Sequence, residues 1–259
     1  MRYDTYHQLA SMHQLMITKN LFATGFAALA LGLSATADTY SGNGNSGFGG
    51  PIGQGSLTLT DDGTTISGTV TKGPNGFNDV LVIYIDSTGG GFTDTSGFAD
   101  GADGLRKSIS GFDGGGNRST MTFAAGFSPD YVLALGPSSD NFGGLWQLAN
   151  GGANSLGFVS SANLTPTGTS GNATYTFSLS LANIGITAGQ SIKLFGTYTS
   201  NSGYRSDETL PGNAVGTQGW NPFTQTSFVT YTTTAVPEPT SLVLGASGLA
   251  LLYVIRRRR

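Results

Sequence analysis

Four carboxylates, Asp86, Asp94, Asp100 and Asp103, fall in one glycine-rich run, DSTGGGFTDTSGFADGAD. Hard oxygen ligands on pliable backbone are what a calcium ion takes, so the run is a candidate calcium site with Asp86, Asp100 and Asp103 as ligands. Its spacing departs from the EF-hand pattern, and Asp-Gly pairs also serve simply as turn formers with solvated side chains. A second chemistry belongs to the aromatics. Trp220 in QGWNPF, Trp146 in GGLWQLA, Tyr204 and Phe142 could stack against the C–H faces of a sugar while polar neighbours take its hydroxyls. Trp220 stands in a loop that favours exposure. Trp146 alternates with Leu145 and Gln147, the pattern of a half-buried strand residue. The most polar cluster is Tyr204 to Glu208 (YRSDE), in which Arg205 and Asp207 are placed for a loop ion pair.

Catalytic groups are scarce. Cysteine is absent, which removes thiol nucleophiles, disulfides and zinc–thiolate sites. The two histidines, His7 and His13, lie near the N-terminus, and removal of that stretch leaves no general base of the usual kind and no His-dependent triad. Glycoside hydrolysis needs two carboxylates flanking the bond, yet Glu208 is the only glutamate between the two ends of the chain. A Ser–Lys scheme around Lys107-Ser108 or Lys193 is poorly supported, because adjacent strand residues face opposite ways. The expectation is a protein that is not an enzyme and needs no cofactor, calcium aside. Between Asp38 and Ala235 six Lys and Arg stand against thirteen Asp and Glu, a net charge of −7. So acidic a body argues against a nucleic-acid partner.

The two ends read as addresses. After Lys19 the run LFATGFAALALGL has the length of a signal-peptide core, and SATA-D places Ala35 and Ala37 before a cleavage point at Asp38. Residues 1–37 are therefore expected to be a signal peptide. A start at Met16 gives the more ordinary signal MITKNLFATG, which makes 1–15 a doubtful extension. At the other end, Pro237-Glu238-Pro239 precedes the apolar run Leu242–Ile255 and then Arg256, Arg257, Arg258 and Arg259. As a helix the run spans about 21 Å at ~1.5 Å per residue, short of a ~30 Å hydrocarbon core unless the arginines snorkel. The positive-inside rule would keep those arginines cytoplasmic and put the body outside the inner membrane.

This tail, VPEP followed by an apolar span and an arginine cluster, resembles the PEP-CTERM sorting signal of Gram-negative bacteria. The resemblance covers residues 236–259. It implies recognition by an exosortase-type membrane enzyme, transient anchoring in the inner membrane, and delivery to the cell surface or extracellular matrix. A plain tail anchor is the alternative.

The body, residues 38–235, has the composition of an all-β domain, with 41 glycines in the chain and abundant Thr, Ser and Asn. SLTLT (Ser56–Thr60) and TTISGTVT (Thr64–Thr71) alternate around Asp61-Asp62-Gly63 and predict a hairpin. DVLVIYID (Asp79–Asp86) is continuously apolar, as a strand covered on both faces would be. Further strands are expected at Ser119–Ala124, Tyr131–Leu135, Leu145–Leu148, Leu156–Ser160, Ala173–Leu181, Ile192–Thr199 and Ser227–Thr233, with one short helical stretch at Leu181–Ile186. The pattern predicts an antiparallel β-sandwich of jelly-roll type. Phrases such as VLVIYIDS, PDYVLALG, GGLWQLANGG, YTFSLSLANIGI and GTYTSNSGYRSDETLPG resemble DOMON-like, carbohydrate-binding-like sandwiches, which implies polysaccharide as a partner. Two readings follow: a non-enzymatic surface or exopolysaccharide-matrix (biofilm) protein, or a discrete carbohydrate-binding module, calcium-dependent in one version. The Thr-rich strands also suit an ice-binding or adhesin surface, but no repeat of constant spacing supports that.

Overall fold

A computed structural model describes residues 37–235 together with Arg256. Its architecture is mostly antiparallel β-sheet, as the composition and alternation predict. The first sheet has the order β1-β2-β3-β9, from β1 (Asp38–Ser41), β2 (Ser56–Asp61), β3 (Thr65–Thr71) and β9 (Thr174–Ser180). The second runs β11-β10-β4-β6-β7-β8, from β4 (Val80–Asp86), β6 (Tyr131–Gly136), β7 (Phe142–Gln147), β8 (Gly157–Ser161), β10 (Ser191–Thr199) and β11 (Arg205–Thr209). Strand β14 (Val229–Thr232) pairs with the first half of β10, whereas β11 pairs with its far end. A small third sheet joins β12 (Asn213–Gly216), β13 (Phe223–Ser227) and β5 (Met121–Thr122), and there β13 and β5 run parallel.

Strand β4 explains the layering. Leu81, Ile83 and Ile85 enter a core shared with Leu57, Leu59, Ile66, Val70, Tyr175 and Leu179 of the first sheet. Val80, Val82 and Tyr84 enter a second core beneath Phe98, Met121, Phe123, Phe195 and Phe223. Both sets are buried, which is why the sequence there is continuously apolar. By contrast, β2 and β3 face a core on one side only and alternate. Gly68 in β3 admits the Phe177 ring of its cross-strand partner: a Cβ there would lie 2.1 Å from Phe177 Cζ.

The second core is closed partly by α1 (Gly104–Ser110), a helix not foreseen from the sequence. Asp103 caps it, accepting from Arg106 N at 2.9 Å, and Gly111 ends it in the left-handed region. Leu105 and Ile109 are its buried apolar residues, too few for a helical period to stand out. The expected stretch at Leu181–Ile186 forms a 3-10 helix over Leu181–Ile184. Strands β1, β11, β12 and β13 were also not foreseen. They are four or five residues long, too short for an alternating pattern to stand out.

Candidate functional site: an aromatic cluster at the β10–β11 turn

Tyr204 is positioned by the turn between β10 and β11. Ser200 N donates to the Tyr204 carbonyl at 2.8 Å, Tyr204 N donates to Ser200 Oγ at 3.1 Å, and Gly203 supplies a φ of 90°. Trp220 is brought beside it because Gly219 pairs with Arg205, with Gly219 N donating to the Arg205 carbonyl at 2.9 Å. The two rings meet edge to face, 5.7 Å between centroids and 87° between planes. Phe48 stacks on Tyr204, at 6.0 Å and 19°. All three rings are half-buried.

Phe48 belongs to the long connection between β1 and β2, and Glu208 holds that connection in place. The Glu208 carboxylate is fully buried. Its Oε1 accepts from Phe48 N at 2.7 Å and Gly50 N at 3.1 Å, while Oε2 accepts from Ile52 N at 3.0 Å and Gly53 N at 2.9 Å. Four backbone donors converge on one carboxylate, an anion nest filled by the protein's own side chain. The neighbouring Asp207 adds a clamp, its Oδ1 accepting from Gly47 N at 3.0 Å. Amide side chains surround the cluster. Asn43 and Asn45 donate through Nδ2 to the Asp207 carbonyl at 2.8 and 3.0 Å, and Asn221 Nδ2 donates to the Gln218 carbonyl at 3.1 Å. Ring faces and edges bordered by amides can take the apolar face and the hydroxyls of a pyranose.

The other sequence-selected residues lie apart. Trp146 is 2 % exposed and sits in the second core, so its ring faces are covered. Phe158 meets it at 5.6 Å and Phe142 at 6.5 Å, and these two phenylalanines are what reaches the surface. The expected Arg205–Asp207 ion pair does not form: the segment is strand, not loop. Arg205 is buried and reaches Thr197, while Asp207 serves Gly47.

The acidic run is divided as well. Asp86 pairs with Lys193 Nζ at 3.1 Å and accepts from Ser128 N. Asp100, fully buried, accepts from Ala102 N, Asn154 N and Leu156 N at 2.9–3.1 Å, with Arg106 Nε at 3.3 Å. Asp103 caps α1 and pairs with Arg106. Asp94 accepts from Ser96 N at 2.8 Å in a local turn. Among the described residues no three of the His, Asp and Glu side chains gather as metal ligands. The carboxylates the sequence offers to calcium are occupied by guanidinium, ammonium and backbone N–H groups.

Two carboxyls near the cluster are shifted upward. Asp79 is raised by burial, then by the charges of Glu208 and Asp140. Asp140 is raised by burial and by Asp103, against a hydrogen bond from Ser139. Asp38 opens β1, opposite Leu59, and Ala37 precedes it, exposed. Ala35, Pro237, Glu238, Pro239, Arg257, Arg258 and Arg259 lie outside the described residues, and Arg256 is exposed. Among the described residues no helix is long and apolar enough to cross a membrane. No family model, curated protein or solved structure matches the chain.

Sequence reasoning missed Phe48, whose role depends on a buried carboxylate at the far end of the chain. The signal was there in principle: a lone Glu208 in the polar stretch YRSDETLPG, and a Gly-rich segment SGNGNSGFGGPIGQG able to turn several N–H groups one way.

Proposed function

We propose that this chain is an exported, non-enzymatic protein of the cell surface or exopolysaccharide matrix, carrying a PEP-CTERM-type sorting tail. The observation that carries the reading is the tail itself, with Pro237-Glu238-Pro239, the apolar run and the four arginines in order behind an all-β body. Support comes from the other end, since β1 begins at Asp38 and cleavage after Ala37 would leave that strand whole. The inward use of the polar groups adds support. Glu208, Asp100 and Asp61 all spend their oxygens on protein donors, which leaves these carboxylates engaged in structure rather than in the acid–base steps of hydrolysis.

Within that reading, Phe48, Tyr204 and Trp220 form the contact to polysaccharide. Their bordering amides favour a neutral glycan, which the acidic body would not repel. The second reading, a discrete carbohydrate-binding module of jelly-roll or DOMON-like type, rests on the same cluster and differs in affinity and selectivity.

Two experiments test this. Intact mass and fractionation of the native protein should show the tail lost near Pro237 and the body in the matrix or outer surface. A full-length tail in the inner membrane means a plain anchor. Binding of the protein to its own matrix polysaccharide should fall in Trp220→Ala. Saturable binding to one defined glycan favours the module, and binding unaffected by Trp220→Ala removes the cluster from the proposal.

A further inference from the structure

Among the described residues no carboxylate forms an ion pair with Arg205. Its side chain is among the largest fully buried ones. Among the described residues its guanidinium donates from Nη1 to Thr197 Oγ1 at 3.2 Å and faces the Tyr84 phenol oxygen, a neutral acceptor. Nε and Nη2 have no hydrogen-bond partner, and neither has the hydroxyl of Thr199, also buried and directly across the β10–β11 ladder from Arg205. Other neighbours are neutral. Phe223 lies over the guanidinium at 5.9 Å, and the Tyr84 hydroxyl donates to the Ile109 carbonyl at 2.7 Å while its oxygen faces Arg205. Burial pushes the Tyr84 phenol up, against the influence of Arg205, so it remains protonated. The carboxylates on the same strand, Asp207 and Glu208, are turned to the backbone of the β1–β2 connection.

A buried guanidinium cannot shed its proton, and an uncompensated buried ion costs several kcal/mol even after relaxation. The unpartnered nitrogens are also not arbitrary. Nε–H and the Nη2–H on the same side form the parallel fork with which arginine holds anions. A water molecule would supply an acceptor atom but no charge.

We propose that this fork, with the Thr199 hydroxyl as third donor, binds a small monovalent anion of halide size, chloride being the natural occupant. Arg205 and Thr199 are both fully buried, which favours a small anion over a larger oxyanion. The anion would tie the end of β11 to β10. Arg205 also holds Gly219 through its backbone, so the anion would brace the turn that carries Tyr204 and Trp220. The proposal does not depend on what those rings bind.

The test is thermal unfolding of the purified full chain in sodium chloride and in sodium gluconate at matched ionic strength. The midpoint should rise with chloride concentration, bromide should replace chloride, and gluconate should not. Crystals soaked in bromide should show an anomalous peak in contact with Nε and Nη2. Arg205→Met should abolish the halide dependence. If that variant does not fold, Thr199→Val, which keeps shape and charge, should weaken the apparent halide affinity severalfold. Equal midpoints in chloride and gluconate would overturn the proposal. So would an ordered water and no bromide at the fork, or a halide effect undiminished in Thr199→Val.

Discussion

Replacing Glu208 by glutamine tests the claim that one carboxylate folds the β1–β2 connection. The substitution preserves shape and removes one acceptor oxygen. Whichever way the amide settles, two of the four N–H groups, either Phe48 and Gly50 or Ile52 and Gly53, then face an NH2 donor. The remaining pair loses the charge. Hydrogen bonds to a charged group contribute about 1.5–3 kcal/mol each, and a buried donor left unpaired forfeits a similar amount, so two of them set a loss of about 4 kcal/mol. For a body of this size, 2–4 °C per kcal/mol converts that to a fall of roughly 12 °C in the unfolding midpoint. The connection could instead detach locally, leaving the sheets intact. Hydrogen exchange separates the two outcomes, because Phe48, Gly50, Ile52 and Gly53 would lose protection ahead of β4 and β6. The two measurements should therefore give either a large fall in midpoint or selective loss at those four amides. A midpoint within about 2 °C of the parent, with all four amides still protected, would refute the reasoning, since it would mean that the carboxylate is not what closes the nest.

Trp146→Ala should cost about 3–5 kcal/mol because the indole fills the second core, and denaturant unfolding should show it, whereas Trp220→Ala should cost far less. Asp61 gives an acid-dependent term. Burial raises its carboxyl, but hydrogen bonds from Tyr231, Thr234 and Gly63 outweigh this and set it below the ordinary value. Its contribution is therefore present above the unfolded carboxylate pKa and lost as pH falls through the lower folded value, so the deficit of Asp61→Asn in urea unfolding should be largest at neutral pH and shrink in acid. Asp79 has the opposite sign: its raised carboxyl favours folding at low pH and loses that advantage as pH rises through the folded value, so Asp79→Asn should stabilise at neutral pH. Chelation should leave the unfolding midpoint unchanged, since Asp100 and Asp103 are paired with Arg106 and Asp86 with Lys193; a fall on adding EDTA that calcium reverses would restore the acidic run as a metal site.

What could be read from the sequence follows from the range of the forces involved. The hairpin of β2 and β3 was legible because alternation and Asp61-Asp62-Gly63 are local, and β4 because burial on both faces leaves an unbroken apolar run. The fold class was legible for the same reason. The pieces that make the site were not. Strand β11 reads as a polar loop, YRSDETLPG, and its polarity is what the site uses: Arg205 turned into one core, Asp207 and Glu208 turned to a segment some 160 residues earlier in the chain. A charged residue in a strand looks like surface unless its partners are known, and here the partners are backbone N–H groups, which every residue but proline carries and which leave no mark on the sequence. The same blindness explains the acidic run. Four aspartates close in sequence resemble a metal loop, but α1, unforeseen, carries Arg106 back between Asp100 and Asp103, and β10 carries Lys193 to Asp86. Composition reads as an all-β chain with few catalytic groups. It is the destination of each buried charge, with Glu208 saturated four times over and Arg205 left with a free fork, that separates scaffold from site.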